Sequence, residues 1–232
     1  MTMGRPMSAW SALLQMQAFG LRSAARLVLV VQAALLLAVA LVMAAWPFAA
    51  QAQPAEASRH MPTLKREAHR VWGLGAPVAT FGAQVHQESR WRPDARSPAG
   101  AQGLAQFMPA TAQWIGGIDA SLAERATFNA AWSMRALVVY DHWLHERIRT
   151  AADGCQRMAY TLSAYNGGLG WVYKRQSMAR LGSVDPGVCL GATCTLNPGV
   201  SLAAQRENEH YPRAIHALER QYTRWGPGAC TV

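Results

Sequence analysis

Apolar residues recur at helical spacing along almost the whole of this sequence, and no segment alternates apolar and polar residues convincingly enough to make a half-buried strand. That rhythm restricts the chain to an all-α, mainly helical architecture. Val78, Phe81 and Val85 stand at i, i+3 and i+7 and mark the inward face of a helix over residues 77–89. A first short helix is predicted over residues 63–72. Pro109 suits the first turn of a helix running to about Ile115, where Gly116 and Gly117 stop it. Ser121 followed by Glu124 has the form of a capping box, opening a long helix to about Thr150. Its stripe is Phe128, Trp132, Leu137, Tyr140, Leu144 and Ile148, read as core rather than as sugar-stacking groups. A further helix carries Tyr160 into Tyr165 and ends at Gly167 and Gly168. Residues 170–181 supply another, and the Gly-, Pro- and Cys-bearing stretch 182–199 is a loop. Pro212 opens the last helix, with Ile215, Leu218, Tyr222 and Trp225 as its stripe.

One segment stands apart from this pattern. Residues 27–46 carry no charge, have Gln32 as their only strongly polar member and follow Arg22 and Arg26. Ala50-Gln51-Ala52 comes just after, with small residues at both positions of an A-x-A cleavage site. Residues 1–52 are therefore expected to be a signal peptide, with an uncleaved anchor as the alternative because the apolar run is just long enough to span a bilayer. Either way the remainder is exported, to the periplasm or facing it from the inner membrane. Residues 53–232 are the right length for one domain. Loss of Arg5, Arg22 and Arg26 lowers Lys plus Arg from 22 to 19 against 13 acidic residues, a net charge of about +6. A basic exported protein suits an anionic wall polymer. The cations are scattered and form no nucleic-acid module, so no specific nucleic-acid partner is expected.

Glu88 continues the stripe of Val78, Phe81 and Val85 toward the interior. There a carboxyl group loses hydration, its pKa rises, and it becomes a proton donor near neutral pH. The bland alternative is a helix-ending Glu paired with Arg90 or Arg92. Beyond Glu88-Ser89 the sequence reads Ser97-Pro98-Ala99-Gly100-Ala101-Gln102-Gly103-Leu104-Ala105-Gln106-Phe107-Met108-Pro109. Two further segments are Ala164-Tyr165-Asn166-Gly167-Gly168 and Glu207-Asn208-Glu209-His210-Tyr211-Pro212.

In this order, over residues 77–215, the four motifs resemble those of the lytic transglycosylase family of the soluble, Slt-like type. Its members share a goose-lysozyme-like catalytic domain and cleave peptidoglycan. Ala105 replaces the family's usual Met, and Gly167 replaces an Ala in its A-Y-N-A-G segment. The Tyr211-Pro212 form resembles versions carried by phages and conjugative elements, so local wall opening in conjugation, secretion or phage entry stands beside wall turnover as the role the resemblance implies. The resemblance implies a domain over residues 53–232 that works with a single catalytic carboxylate, without cofactor or metal. Glu88 would protonate the β-1,4 glycosidic oxygen between N-acetylmuramic acid and N-acetylglucosamine. It would then, as base, take the proton of the muramic acid's primary hydroxyl as that oxygen closes a 1,6-anhydro ring. Ser97 would bind near the acetamido group, and Gln106 and Met108 would line sugar subsites. Tyr165 would orient Glu88 or the substrate through its hydroxyl, with Asn166 holding the adjoining turn. Ser89, Glu207 and Tyr211 are possible supporting residues, and Ser89 can equally serve its own backbone.

The other carboxylates fit this shortage of partners. Asp94 reads as a turn residue, Asp119 precedes a helix and Asp141 falls within one, so all have structural roles at hand. Two other classes remain open: a water-using muramidase, and a non-catalytic wall-binding component of a conjugation or secretion apparatus. Cys155, Cys189, Cys194 and Cys230 all lie in the exported part, where an even number favours disulfides. Of three possible pairings we favour Cys189 with Cys194 and Cys155 with Cys230; a zinc site lacks a matching second pair of close ligands. The mature protein is accordingly predicted to begin near Gln53 and to hold no free thiol. Intact mass of protein recovered from the periplasm checks both, and full-length protein in the membrane fraction would mean an anchor.

Overall fold

Residues 53–230 are described by a computed structural model. The expected export segment and its cleavage pattern lie outside the described residues. Seven α-helices are found among the described residues: α1 (Ala55–Trp72), α2 (Val78–Ser89), α3 (Pro109–Ile115), α4 (Ala130–Arg147), α5 (Gly154–Gly167), α6 (Leu169–Leu181) and α7 (Leu202–Glu219). None is long and apolar enough to cross a membrane. Strands are absent from this part of the chain, where β pairing is limited to isolated bridges of Gln102 with Arg96 and with Phe107.

The helix α2 sits at the centre, packed against α1, α4 and α7. Its residues from Val78 to His86 are all buried, so it is enclosed on every face over most of its length rather than amphipathic. Its Phe81 shares one core cluster with Leu64, Ile115, Leu122 and Leu137, all wholly buried, each stabilising the fold by about 1.5–3 kcal/mol relative to an exposed side chain. Several polar groups of this core are paired in chains. Trp91 Nε1 donates to Tyr222 Oη at 2.8 Å, and Tyr222 Oη meets His86 Nδ1 at 2.9 Å. The buried Glu67 joins α1 to α4 through Arg135 Nε at 2.9 Å.

Helix starts differ from the sequence expectations where prolines and caps compete. The helix α1 runs through Pro62 instead of starting after it. Pro62 faces solvent while Ala57 and Leu64, on either side, are fully buried, so packing outweighs the one lost backbone bond. The Ser121–Glu124 capping box does not form. Asp119 instead accepts from the Ser121 backbone at 2.9 Å and hydroxyl at 2.6 Å, closing a 3-10 turn at Ala120–Leu122. Asn129 caps the long helix by accepting from the Trp132 backbone at 3.1 Å, so Phe128 falls outside it. Phe128 is exposed beneath the Arg96 guanidinium, 4.3 Å away, and is not core. The last helix starts at Leu202, where Ser201 Oγ accepts from the Ala204 backbone at 3.2 Å. Pro212 lies inside it. Gln205, Asn208, Tyr211, Ile215 and Glu219 therefore share one buried face of a continuous helix, and Tyr222 and Trp225 are buried beyond its end.

The four cysteines form the two favoured bridges, Cys155–Cys230 and Cys189–Cys194, which leaves no thiolate for zinc. The first spans 75 residues and ties the end of the described chain to the start of α5. The second spans 5 and closes the loop before α7, whose Cys189 and Cys194 pack with Leu144, Tyr160 and Val172. Loop entropy scales with length, so Cys155→Ser/Cys230→Ser should lower the unfolding free energy by about 4 kcal/mol and Cys189→Ser/Cys194→Ser by about 2. Denaturant unfolding of the two variants checks the order.

Candidate active site

The chain must leave the buried α2 abruptly, and it does so through two consecutive residues in the left-handed region, Arg90 (φ 52°) and Trp91 (φ 64°). Such a conformation is unfavourable for L-residues and persists where the surroundings enforce it. Here full burial of Trp91 does so. The turn leaves Glu88 in the last turn of α2, beside the returning segment 95–108.

That segment is held by its own bonds. Gln102 and Phe107 exchange both backbone hydrogen bonds at 3.0 Å, and Gly103 N donates to Ala95 O at 2.9 Å. Gly103 has φ 77°, and a Cβ there would lie 1.8 Å from the Thr127 carbonyl oxygen, so only glycine fits. Gln106, itself at φ 47°, donates through Nε2 to Gly103 O at 2.9 Å and Ala95 O at 3.2 Å. Ser97 Oγ accepts from Ala101 N at 3.0 Å.

Between this segment, α3, α5 and α7 lies a cleft of about 420 Å³. Glu88, Ser97, Gln106, Met108, Tyr165, Asn166 and Glu207, all singled out from the sequence, line it, together with Phe107, Thr111 and Tyr140, which were not. Tyr140 had been assigned to the core. It reaches the cleft because α4 passes beneath, its ring 5.3 Å from that of Tyr165. Ser89 is buried and turns away, its hydroxyl donating to Val85 O at 3.2 Å. A hollow of about 400 Å³ beside His145, Arg149 and Arg157 contains Asp153, but that carboxylate caps α5 by accepting from Gln156 N at 2.7 Å.

Glu88 is part-buried on the wall of this cleft. Burial pushes its pKa from 4.5 up to about 8; the nearby charge of Glu207 adds to the rise, and a hydrogen bond from Tyr211 opposes it. The orienting hydroxyl is thus that of Tyr211, which donates to Glu88 Oε1. Tyr165, expected to orient Glu88 or the substrate, lines the cleft while its hydroxyl donates to Ala105 O at 2.6 Å, tying α5 to the segment 95–108. The Tyr165 ring lies parallel to that of Tyr211, with centroids 6.5 Å apart. Tyr211, a supporting candidate from the sequence, stands on the buried face of α7, which continues through Pro212.

The rim opposite is a polar chain. Asn166 Nδ2 donates to Glu207 Oε1 at 3.3 Å, and Asn208 Nδ2 donates to Asn166 Oδ1 at 2.8 Å. Asn208 in turn accepts from the Ser163 hydroxyl at 2.8 Å and from buried Arg175. Glu207 has the Asn166 amide as its partner, and it stays exposed. Chemically, the arrangement offers one proton-donating carboxyl beside a groove of polar and aromatic walls, the size of a sugar unit or two.

Residues 73–182 match the family described as Transglycosylase SLT domain. Over 103 residues the chain is 36% identical to a membrane-bound lytic murein transglycosylase F of Maricaulis maris, a match covering 44% of this chain and 21% of that protein. The corresponding protein of Shewanella denitrificans is 33% identical over 106 residues, covering 46% and 20%. The chain thus spans about a fifth of the length of these curated relatives. Among solved structures, the 70 kDa soluble lytic transglycosylase SLT70 of Escherichia coli aligns with a TM-score of 0.52 at 20% identity. It covers 72% of this chain and 25% of its own, a likeness of fold.

The raised pKa has a cost. Between pH 4.5 and about 8 the unfolded chain releases the Glu88 proton while the folded chain keeps it, so this residue's contribution falls with rising pH across that window and is constant on either side. Glu88→Gln should therefore be more stable than the parent at pH 8 and equal to it at pH 4, as read from melting temperatures across that range.

Proposed function

From the match of residues 73–182 to the transglycosylase SLT domain family, we propose that this chain is a peptidoglycan lytic transglycosylase. One arrangement carries the assignment of its acid: Glu88 is a part-buried carboxyl on the wall of the cleft, and desolvation pushes its pKa up to about 8. A group with that pKa is protonated at neutral pH yet close enough to neutrality to give the proton up. Glu88 then protonates the glycosidic oxygen between N-acetylmuramic acid and N-acetylglucosamine as the C1–O bond breaks. The substrate's N-acetyl group takes up the positive charge at C1. Glu88, now a carboxylate stabilised by the Tyr211 hydroxyl, removes the proton of the C6 hydroxyl, whose oxygen attacks C1 and closes the 1,6-anhydro ring. The proton balance returns to its start and no water is consumed.

In this scheme Ser97, Gln106 and Met108 form one wall for the sugars, and Tyr165 and Asn166 the other. Export through residues 1–52 would bring the enzyme to its polymer in the periplasm, and wall opening for conjugation, secretion or phage entry is the biological setting we favour. A second reading draws on Glu207, the other carboxylate of the cleft. A water-using muramidase needs such a partner as base. Against it, Glu207 is exposed and engaged by Asn166.

Digestion of purified sacculi followed by mass spectrometry separates the readings. The transglycosylase leaves anhydro ends, each lighter by one water than a hydrolysed end. Glu88→Gln should lower the rate at least about a hundredfold with the fold intact, since the amide keeps the shape but cannot donate the proton. Near-normal cutting by a folded Glu88→Gln protein would remove Glu88 from the role.

A further inference from the structure

Two wholly buried side chains behind Glu88 take no part in this chemistry. Gln84 stands one turn before Glu88 on α2, and Asp141 meets it from α4. Gln84 Nε2 donates to Asp141 Oδ1 at 3.5 Å. The remaining polar atoms of both groups, Gln84 Oε1 and Asp141 Oδ2, have no partner. Two acceptors cannot bond to each other, and buried polar atoms are seldom left bare. One proton on Asp141 Oδ2 converts the mismatch into a donor and an acceptor, and the acid and the amide then close a ring of two hydrogen bonds.

The surroundings favour that proton. An ionised carboxylate in the interior requires a compensating charge. The titratable groups that face Asp141 are Glu88 from α2, Tyr165 from α5, Tyr211 from α7 and Tyr140 on its own helix, and none of these is a cation. Burial, reinforced by the charge of Glu88, holds the Asp141 carboxyl well above the ordinary range.

We propose that Asp141 is a neutral carboxylic acid locked to Gln84 by two hydrogen bonds, and that the pair is the positioning element that fixes the turn of α2 bearing Glu88 against α4. This rests on the reading of Glu88 as the catalytic acid. The end of a helix frays most easily, and α2 must hold its last turn where the chain reverses. An acid–amide ring one turn back anchors that turn. Because the anchor is neutral, Glu88 can release its proton to the leaving oxygen without placing two negative charges side by side in the interior.

Infrared spectroscopy of the full chain tests the protonation directly, through the C=O stretch of a protonated carboxyl. In Glu88→Gln protein at pH 7 one such band should remain, and the double variant with Asp141→Asn should lack it. Absence of the band in Glu88→Gln, or its persistence in the double variant, overturns the neutral acid. Kinetics test the positioning. Asp141→Leu should lower kcat about tenfold to a hundredfold with KM within about twofold, as expected for a misplaced acid with an intact groove. Asp141→Asn, which keeps one donor and one acceptor, should recover most of that loss. Equal losses in the two folded variants, or none in either, overturn the proposal. If Glu88→Gln protein still cuts sacculi, the functional reading fails instead, while the infrared band stands or falls on its own.

Discussion

The desolvation of one carboxyl group organises this structure. Glu88 ends a helix that is enclosed by α1, α4 and α7, and removal of water from its carboxyl raises the pKa to about 8. The other arrangements around it act on that group or on its walls. Tyr211 tempers the rise with a hydrogen bond that favours the carboxylate, so Glu88 is neither a permanent acid nor an ordinary anion. Both protonation states are within reach near neutrality, as a residue acting first as acid and then as base requires.

Holding such a group has a structural cost, and the fold distributes it. The left-handed Arg90 and Trp91 are enforced by burial of the indole among His60, Tyr222 and Trp225. Across the cleft the segment 95–108 depends on Gly103, which tolerates no side chain, and on the Gln106 amide, which braces the segment it belongs to. Gln106 therefore shapes the wall through its Nε2. Tyr165 does the same for the opposite wall by bonding to Ala105 O. These contacts preorganise the groove, so that binding energy is not spent on forming it.

Much of this was legible in the sequence because it is local or periodic. The span of α2, the start of α3 at Pro109 and the end of α5 at Gly167 and Gly168 follow from spacing, φ preference and chain reversal. The cleft residues Glu88, Ser97, Gln106, Met108, Tyr165, Asn166 and Glu207 came from motif order, and the fold brings them into one cavity. What was missed depends on tertiary contact. Proline marks a helix start only when nothing buried precedes it, and both Pro62 and Pro212 have buried residues one turn or more upstream. The bond from Tyr211 to Glu88 was hidden for that reason, since it depends on α7 being continuous through Pro212. Asp141 offered no signal beyond being polar on a helix, and its burial beside Gln84 depends on how α4 crosses α2.

The central claim is that burial keeps Glu88 protonated through neutral pH. Carbon NMR of protein labelled at the glutamate side-chain carboxyl measures it at the atom concerned, with Glu88→Gln identifying the resonance. A titration midpoint near pH 8 is the predicted result, far from those of the exposed glutamates. A midpoint near 4.5 would contradict the account, because Glu88 would then be ionised at neutral pH and have no proton to give.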